Sequence, residues 1–302
     1  MLSQQQPSTT PTAAGKARGG TIDKAVELYH ATARQCSKLI TQRYSTSFSL
    51  GIRTLSPEYR EAIYSIYGFV RYADEIVDTF HAFDKRRLFD AFVRDTWQAL
   101  ADGISLNPVL DAYQDVVHRY HIPNELTAAF LHSMEMDLAD QTYDPALYQT
   151  YIYGSAEVVG LMCLRVFCNG DPAEYERLKP AAQALGAAFQ KVNFLRDIQA
   201  DYADRGRVYF PGVDLSRFDA GTKAEIEADI AADFDHALRG IKQLPIGART
   251  GVYLAYMYYR QLFDRIRATR PERILQTRIR VPDSTKIWLL AGCMVRKQLH
   301  LI

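Results

Sequence analysis

Ile66-Tyr67-Gly68-Phe69-Val70-Arg71-Tyr72-Ala73-Asp74-Glu75-Ile76-Val77-Asp78 is the stretch on which the reading of this chain turns. Counted from Ile63, its apolar residues recur at spacings of three and four (Ile63, Ile66, Tyr67, Val70, Ala73, Val77), the period of an amphipathic helix and not of a strand. On that helix Asp74 and Asp78 leave the same face about 6 Å apart along the axis, while Glu75 points about 100° away. Asn193-Phe194-Leu195-Arg196-Asp197-Ile198-Gln199-Ala200-Asp201-Tyr202-Ala203-Asp204 repeats the device, with Asn193, Asp197, Asp201 and Asp204 forming one polar stripe. Like charges one turn apart weaken a helix by a few tenths of a kcal/mol per pair, and two such stripes brought together would raise their carboxylate pKa values. Cations remove that penalty. Oxygen-only donors suit Mg²⁺, with Mn²⁺ as the alternative ion, and leave room for water and phosphate oxygens.

Outward from these stripes the punctuation is helical. Ser56-Pro57, Asn107-Pro108, Asp144-Pro145 and Asp171-Pro172 each place a proline in a first turn behind a residue able to cap it. Helices are expected over about 22–43, 57–80, 84–102, 108–120, 123–140, 145–168, 172–204, 222–243, 246–270 and 283–300, and no hairpin signal interrupts them. The expected fold is all-α, a single-domain helical bundle around a central cavity spanning 21–302, behind a disordered tail over 1–20 rich in Gln, Ser, Thr, Pro, Ala and Gly. Of the 302 residues 48% are hydrophobic and 24% charged, which excludes a disordered or fibrous chain. Thirty-six basic residues against 35 acidic ones leave a net charge of +1, without the basic excess of a nucleic-acid binder. The most apolar run, Val158 to Phe167, is too short to span a bilayer. Cys36, Cys163, Cys168 and Cys293 lack metal or disulfide spacing and read as thiols in a reducing, cytoplasmic compartment. From Arg265 to Lys297 nine basic residues face only Glu272 and Asp283, a solvated face or a patch for anionic lipid or diphosphate.

Taken singly, either acidic stripe could be an ordinary solvated helix face. Glu27-Leu28-Tyr29-His30 matches the Glu-x-x-His element of di-iron bundles, but such a site needs two of these elements and the chain has one. Mg²⁺ held between facing helices serves best where a charged leaving group departs, as in ionisation of an allylic diphosphate. The carbocation left behind must be kept from water, a task for an aromatic and aliphatic chamber that the 19 Tyr and 14 Phe could line.

At these residues the chain resembles the squalene and phytoene synthase family, whose members join two isoprenoid diphosphates head to head. The likeness rests on Tyr44 to Ser49 (YSTSFS), on Ile66 to Asp78, on Tyr151 to Leu161 (YIYGSAEVVGL), and on Leu185 to Asp197 continuing through Asp201 to Pro211. It extends over about residues 25–300 and implies the isoprenoid-synthase type of helical fold. It further implies that Asp74, Asp78, Asp197 and Asp201, assisted by Asn193, hold Mg²⁺-diphosphate, with Arg71 and Arg196 on diphosphate oxygens. Ser47 and Phe48 would lie in the flap, Tyr67 at the mouth, Gln190 towards the cavity and Tyr258 near the leaving group. Glu75 stands where some relatives have Asp and would act only behind the ligands.

The wording of the motifs is nearest to bacterial phytoene synthases. That implies two geranylgeranyl diphosphates condensed through a cyclopropyl diphosphate to phytoene, in carotenoid synthesis, without NADPH. The expected partners are prenyl diphosphates and peripherally a membrane, with no nucleic acid, and the protein is expected to be a monomer. The rivals are a squalene or dehydrosqualene synthase using farnesyl diphosphate, a terpene cyclase with the same Mg²⁺ logic, and a non-catalytic helical assembly factor.

Overall fold

The computed structural model describes residues 13–139, 143–205 and 209–298. Helix α1 (Ala13–Tyr44) is followed by α2 (Thr46–Thr54), α3 (Pro57–Asp78), α4 (Lys85–Asp102), α5 (Pro108–Arg119) and α6 (Asn124–Met136). Next come α7 (Pro145–Ile152), a π turn (Tyr153–Glu157), α8 (Val158–Phe167) and α9 (Pro172–Arg205). A 3₁₀ turn (Leu215–Arg217) leads to α10 (Ala220–Ile241), α11 (Ile246–Arg267), α12 (Pro271–Ile274) and α13 (Asp283–Gln298). Among the described residues there is no strand.

Each of the four proline signals opens a helix: Pro57, Pro108, Pro145 and Pro172 are the first residues of α3, α5, α7 and α9. Side chains cap what proline leaves open. Asn107 Oδ1 accepts from Val109 N at 3.0 Å, Asp144 Oδ1 from Leu147 N at 2.8 Å, and Asp171 Oδ1 from Ala173 N at 2.9 Å. Ser56 carries no side-chain cap; its backbone N–H donates to Gly247 O at 2.8 Å and ties the start of α3 to α11.

Three expectations differ from the outcome. Helix α1 begins at Ala13, inside the segment read as a tail, and residues 1–12 lie outside the described ones. Helix α2 went unread because nine residues mixing hydroxyls and apolar groups give little periodicity; Ser45 starts it, accepting from Phe48 N at 3.2 Å. The helix expected over 145–168 is interrupted by the π turn. There Gly154 lies against α6 so closely that a Cβ would stand 2.5 Å from Ala129 O, and one extra residue per turn absorbs the approach.

Two apolar clusters fill the bundle. One is centred on Phe69, Tyr113 and Phe130 from α3, α5 and α6, with the rings of Phe69 and Tyr113 stacked at 3.8 Å. The other is centred on Leu195, Phe234 and Phe263 from α9, α10 and α11. Between them runs a cavity of about 580 Å³, to which α2, α3, α6, α8, α9, α10 and α11 all contribute. Close helix contact at its wall requires glycine: at Gly186 of α9 a Cβ would meet Ala156 O at 2.7 Å.

Candidate active site

The cavity is two-toned. One end is lined by Asp74, Asp78 and Arg71 from α3, by Asn193, Arg196, Asp197 and Asp201 from α9, and by Arg278. The rest is apolar, through Ile66, Val159, Leu164 and Leu185 to Leu55, Phe167, Leu178 and Leu244. Those last four are buried, so the chamber has a closed greasy floor. The two acidic stripes expected from sequence therefore line a single cavity.

Their charges are internally matched. Arg71 Nη1 donates to Asp74 Oδ2 at 2.6 Å and its other arm pairs with Glu75, while the guanidinium lies 4.6 Å from the Tyr44 ring centroid. Glu75, only 11% exposed at its side chain, thus works by holding Arg71 and not by facing the cavity. Across the chamber Asp197 carries two arginines: the adjacent Arg196, whose Nε donates at 3.0 Å, and Arg278, whose Nε stands 2.7 Å from Oδ1. Burial opposes the charge on Arg196, but the hydrogen bonds and negative charge of Asp197 outweigh it and raise its pKa. The result is a basic and acidic mouth suited to a polyanion bridged by cations.

Donor chemistry fits a hard cation. Asn193 Oδ1 is buried and accepts no hydrogen bond, as a ligand oxygen awaiting a cation would, and the four aspartates supply only oxygen. Among the described residues no three His, Cys, Asp or Glu groups converge on one point. An ion here would be completed by water and substrate oxygens, the habit of Mg²⁺. The di-iron alternative finds its residues engaged elsewhere. His30 Nδ1 lies 2.7 Å from Asp111 Oδ2, and Glu27 accepts from Arg34 at 2.6 Å.

An aromatic collar follows the mouth. Tyr67 and Phe48 are 5.6 Å apart, Phe48 and Tyr259 6.3 Å, and Phe189 stacks on Tyr259 at 3.9 Å. Burial raises the phenol pKa values of Tyr67 and Tyr259, so both stay protonated. Tyr67, Phe48 and Gln190 line the cavity as expected. Ser47 does not; it is half-buried on α2 beside the lining Phe48. The tyrosine register on α11 also differs: Tyr259 forms the wall, while Tyr258 packs edge-on against it at 5.6 Å and is felt electrostatically by Arg196. Helical geometry explains this, since consecutive residues differ by about 100°.

Several polar residues of the wall were not assigned to it from the sequence. Arg278 lay in a basic stretch read as a solvated face or a patch for anionic lipid or diphosphate, with nothing to link it to Asp197, 81 positions away. Ser155 is turned inward by the π turn. Asp137 and Tyr151 are joined by a 2.8 Å hydrogen bond, the phenol donating, and no spacing rule links the end of one helix to the middle of another. Cys163 also faces the cavity, but burial pushes its thiol up to about 12, and all four cysteines are free.

Known proteins resemble this chain over most of its length. A phytoene synthase from Arabidopsis thaliana is 31% identical over 277 residues, 82% of this chain; the chain spans 62% of that longer protein. A 15-cis-phytoene synthase from Synechococcus elongatus is 30% identical over 286 residues, 85% of this chain and 91% of the relative. In fold, a ligand-bound dehydrosqualene synthase superposes with a TM-score of 0.75 at 19% identity, covering 89% of this chain and 98% of the other. Residues 41–285 match the family described as squalene/phytoene synthase, and the chain, by that match and by these relatives, belongs to it.

Proposed function

We propose that the protein condenses two geranylgeranyl diphosphates head to head, by way of a cyclopropyl diphosphate, to phytoene in carotenoid synthesis. The observation that carries the reading is the two-toned cavity, with Asp74, Asp78, Asp197 and Asp201 at one end of a long apolar chamber. Mg²⁺, held by these aspartates with Asn193, would neutralise the charge that develops on diphosphate as its C–O bond breaks. Arg71, Arg196 and Arg278 would bind and orient diphosphate oxygens, exchanging their present carboxylate partners for substrate. Phe48, Tyr67, Phe189 and Tyr259 exclude water and present ring faces to the cation.

The twenty-carbon substrate is preferred on the relatives, since the proteins 31% and 30% identical to this chain are phytoene synthases.

Purified protein with Mg²⁺ and each prenyl diphosphate, with and without NADPH, tests the reading. The expected hydrocarbon is phytoene, from geranylgeranyl diphosphate and without reductant. Product from farnesyl diphosphate alone would overturn the substrate, and no hydrocarbon from either would overturn the reaction. The unloading of so apolar a product is assigned to the basic C-terminal region docking on anionic bilayers. Arg270, Arg273 and Arg280 are exposed there, as is Trp288 at 77%. Among the described residues no helix is long and apolar enough to cross a membrane.

A further inference from the structure

Five carboxylates line the cavity among the described residues; four belong to the acidic stripes and the fifth is Asp137. It ends α6 at the cavity wall, 8% exposed, and accepts the 2.8 Å hydrogen bond from Tyr151. Burial first, and the Asp137 charge after it, lift the Tyr151 phenol well above its ordinary range. The phenol therefore keeps its proton, and Asp137 is the basic member of the pair.

Ring contacts fix the depth of this pair in the chamber. Tyr151 stands 5.9 Å from Phe194 and 5.3 Å from Tyr209, and Phe194 precedes Asp197 by less than one turn of α9. The pair thus lies beside the diphosphate end, where a cation is born, and away from the apolar floor. Ser155, one turn beyond Tyr151 at the wall, adds a buried hydroxyl oxygen with no partner. A polar niche of this kind inside an apolar chamber costs stability unless it has a task.

The proposed reaction supplies one. After the second ionisation and rearrangement, the cation is discharged when a neighbouring carbon loses a proton. We infer that Asp137 accepts this proton, with Tyr151 holding its carboxylate in place. The C–H bond breaks, its electron pair becomes the second bond of the new alkene, and the proton forms an O–H bond on Asp137. Cation and carboxylate become alkene and carboxylic acid, so charge balances without any co-reactant. The inference rests on the head-to-head reading above.

The test separates release of diphosphate from formation of alkene in Asp137→Asn and Tyr151→Phe, both supplied with Mg²⁺ and geranylgeranyl diphosphate. In Asp137→Asn the first release of diphosphate should be little changed, while alkene per diphosphate falls about 100-fold, the scale of a lost general base. Hydroxylated products of the same carbon count, formed when water captures the undischarged cation, should take its place. Tyr151→Phe should lower the same ratio about tenfold, as loss of one hydrogen bond to a charged group does. An unchanged ratio in folded Asp137→Asn, or a parallel fall in both quantities, overturns the inference and leaves the departing diphosphate as acceptor. Should Asp137→Asn fail to fold, the ratio in Tyr151→Phe decides, an unchanged value being fatal. A wild-type protein that releases no diphosphate would sink the head-to-head reading itself.

Discussion

Asp197 is held by Arg196 on its own helix and by Arg278 from the segment after α12, so one carboxylate links the acidic stripe to the C-terminal region. Substitution of Asp74 or Asp197 by Ala should lower turnover by at least ~100-fold, in line with loss of charge stabilisation at a leaving group. Helix content by circular dichroism should stay the same, because both side chains face the cavity and not the core. Activity near wild type in either would make its stripe mere surface. Arg278→Ala should weaken substrate binding and leave folding intact, since the residue is half exposed and its guanidinium meets a site carboxylate. The stripes were legible because helical period places Asp74 with Asp78 and Asp197 with Asp201 whatever the tertiary structure. Arg278, Asp137 and Ser155 were not, because only packing between distant segments brings them to the wall.

At the scale of elements, the four prolines with their capping residues marked the helix starts, whereas the π turn could not be read from local propensity. It depends on the contact of Gly154 with α6. Deleting one residue from Tyr153–Glu157 should let α7 and α8 fuse into one regular helix. Tyr151 would then rotate by about 100° relative to α8, out of the cavity. Helix content should be preserved and alkene formation lost; retained activity would refute a role for the turn. Its last residue, Glu157, accepts from Gln183 of α9 at 2.8 Å, and burial raises its pKa above the ordinary 4.5 despite that bond. Well below pH 4.5 both folded and unfolded forms are protonated and no penalty exists. The penalty builds as pH rises past that value and the folded state must give up its proton. Glu157→Gln should therefore raise the melting temperature at pH 7 and leave it unchanged near pH 3.

For the whole molecule, vesicle binding offers a check on the C-terminal charge. Co-sedimentation with anionic liposomes should weaken as salt rises and as Arg270, Arg273 and Arg280 are neutralised, because screened charges lose their reach within about 10 Å at 0.1 M salt. Indifference to both would remove the lipid reading. The architecture itself was legible as an all-α bundle, since composition, period and helix starts agreed. The depth of the chamber was not, because it is set by where α3, α8, α9 and α10 stop approaching one another. Its sealed floor at Leu55, Phe167, Leu178 and Leu244 has a kinetic corollary. The proposed forty-carbon hydrocarbon, made above a dead end, could leave only past the charged entrance or between parting helices, and water offers it no welcome on either route. Egress should then govern the steady state: a rapid first turnover followed by a slower regime, quickened when detergent or lipid is there to receive the hydrocarbon.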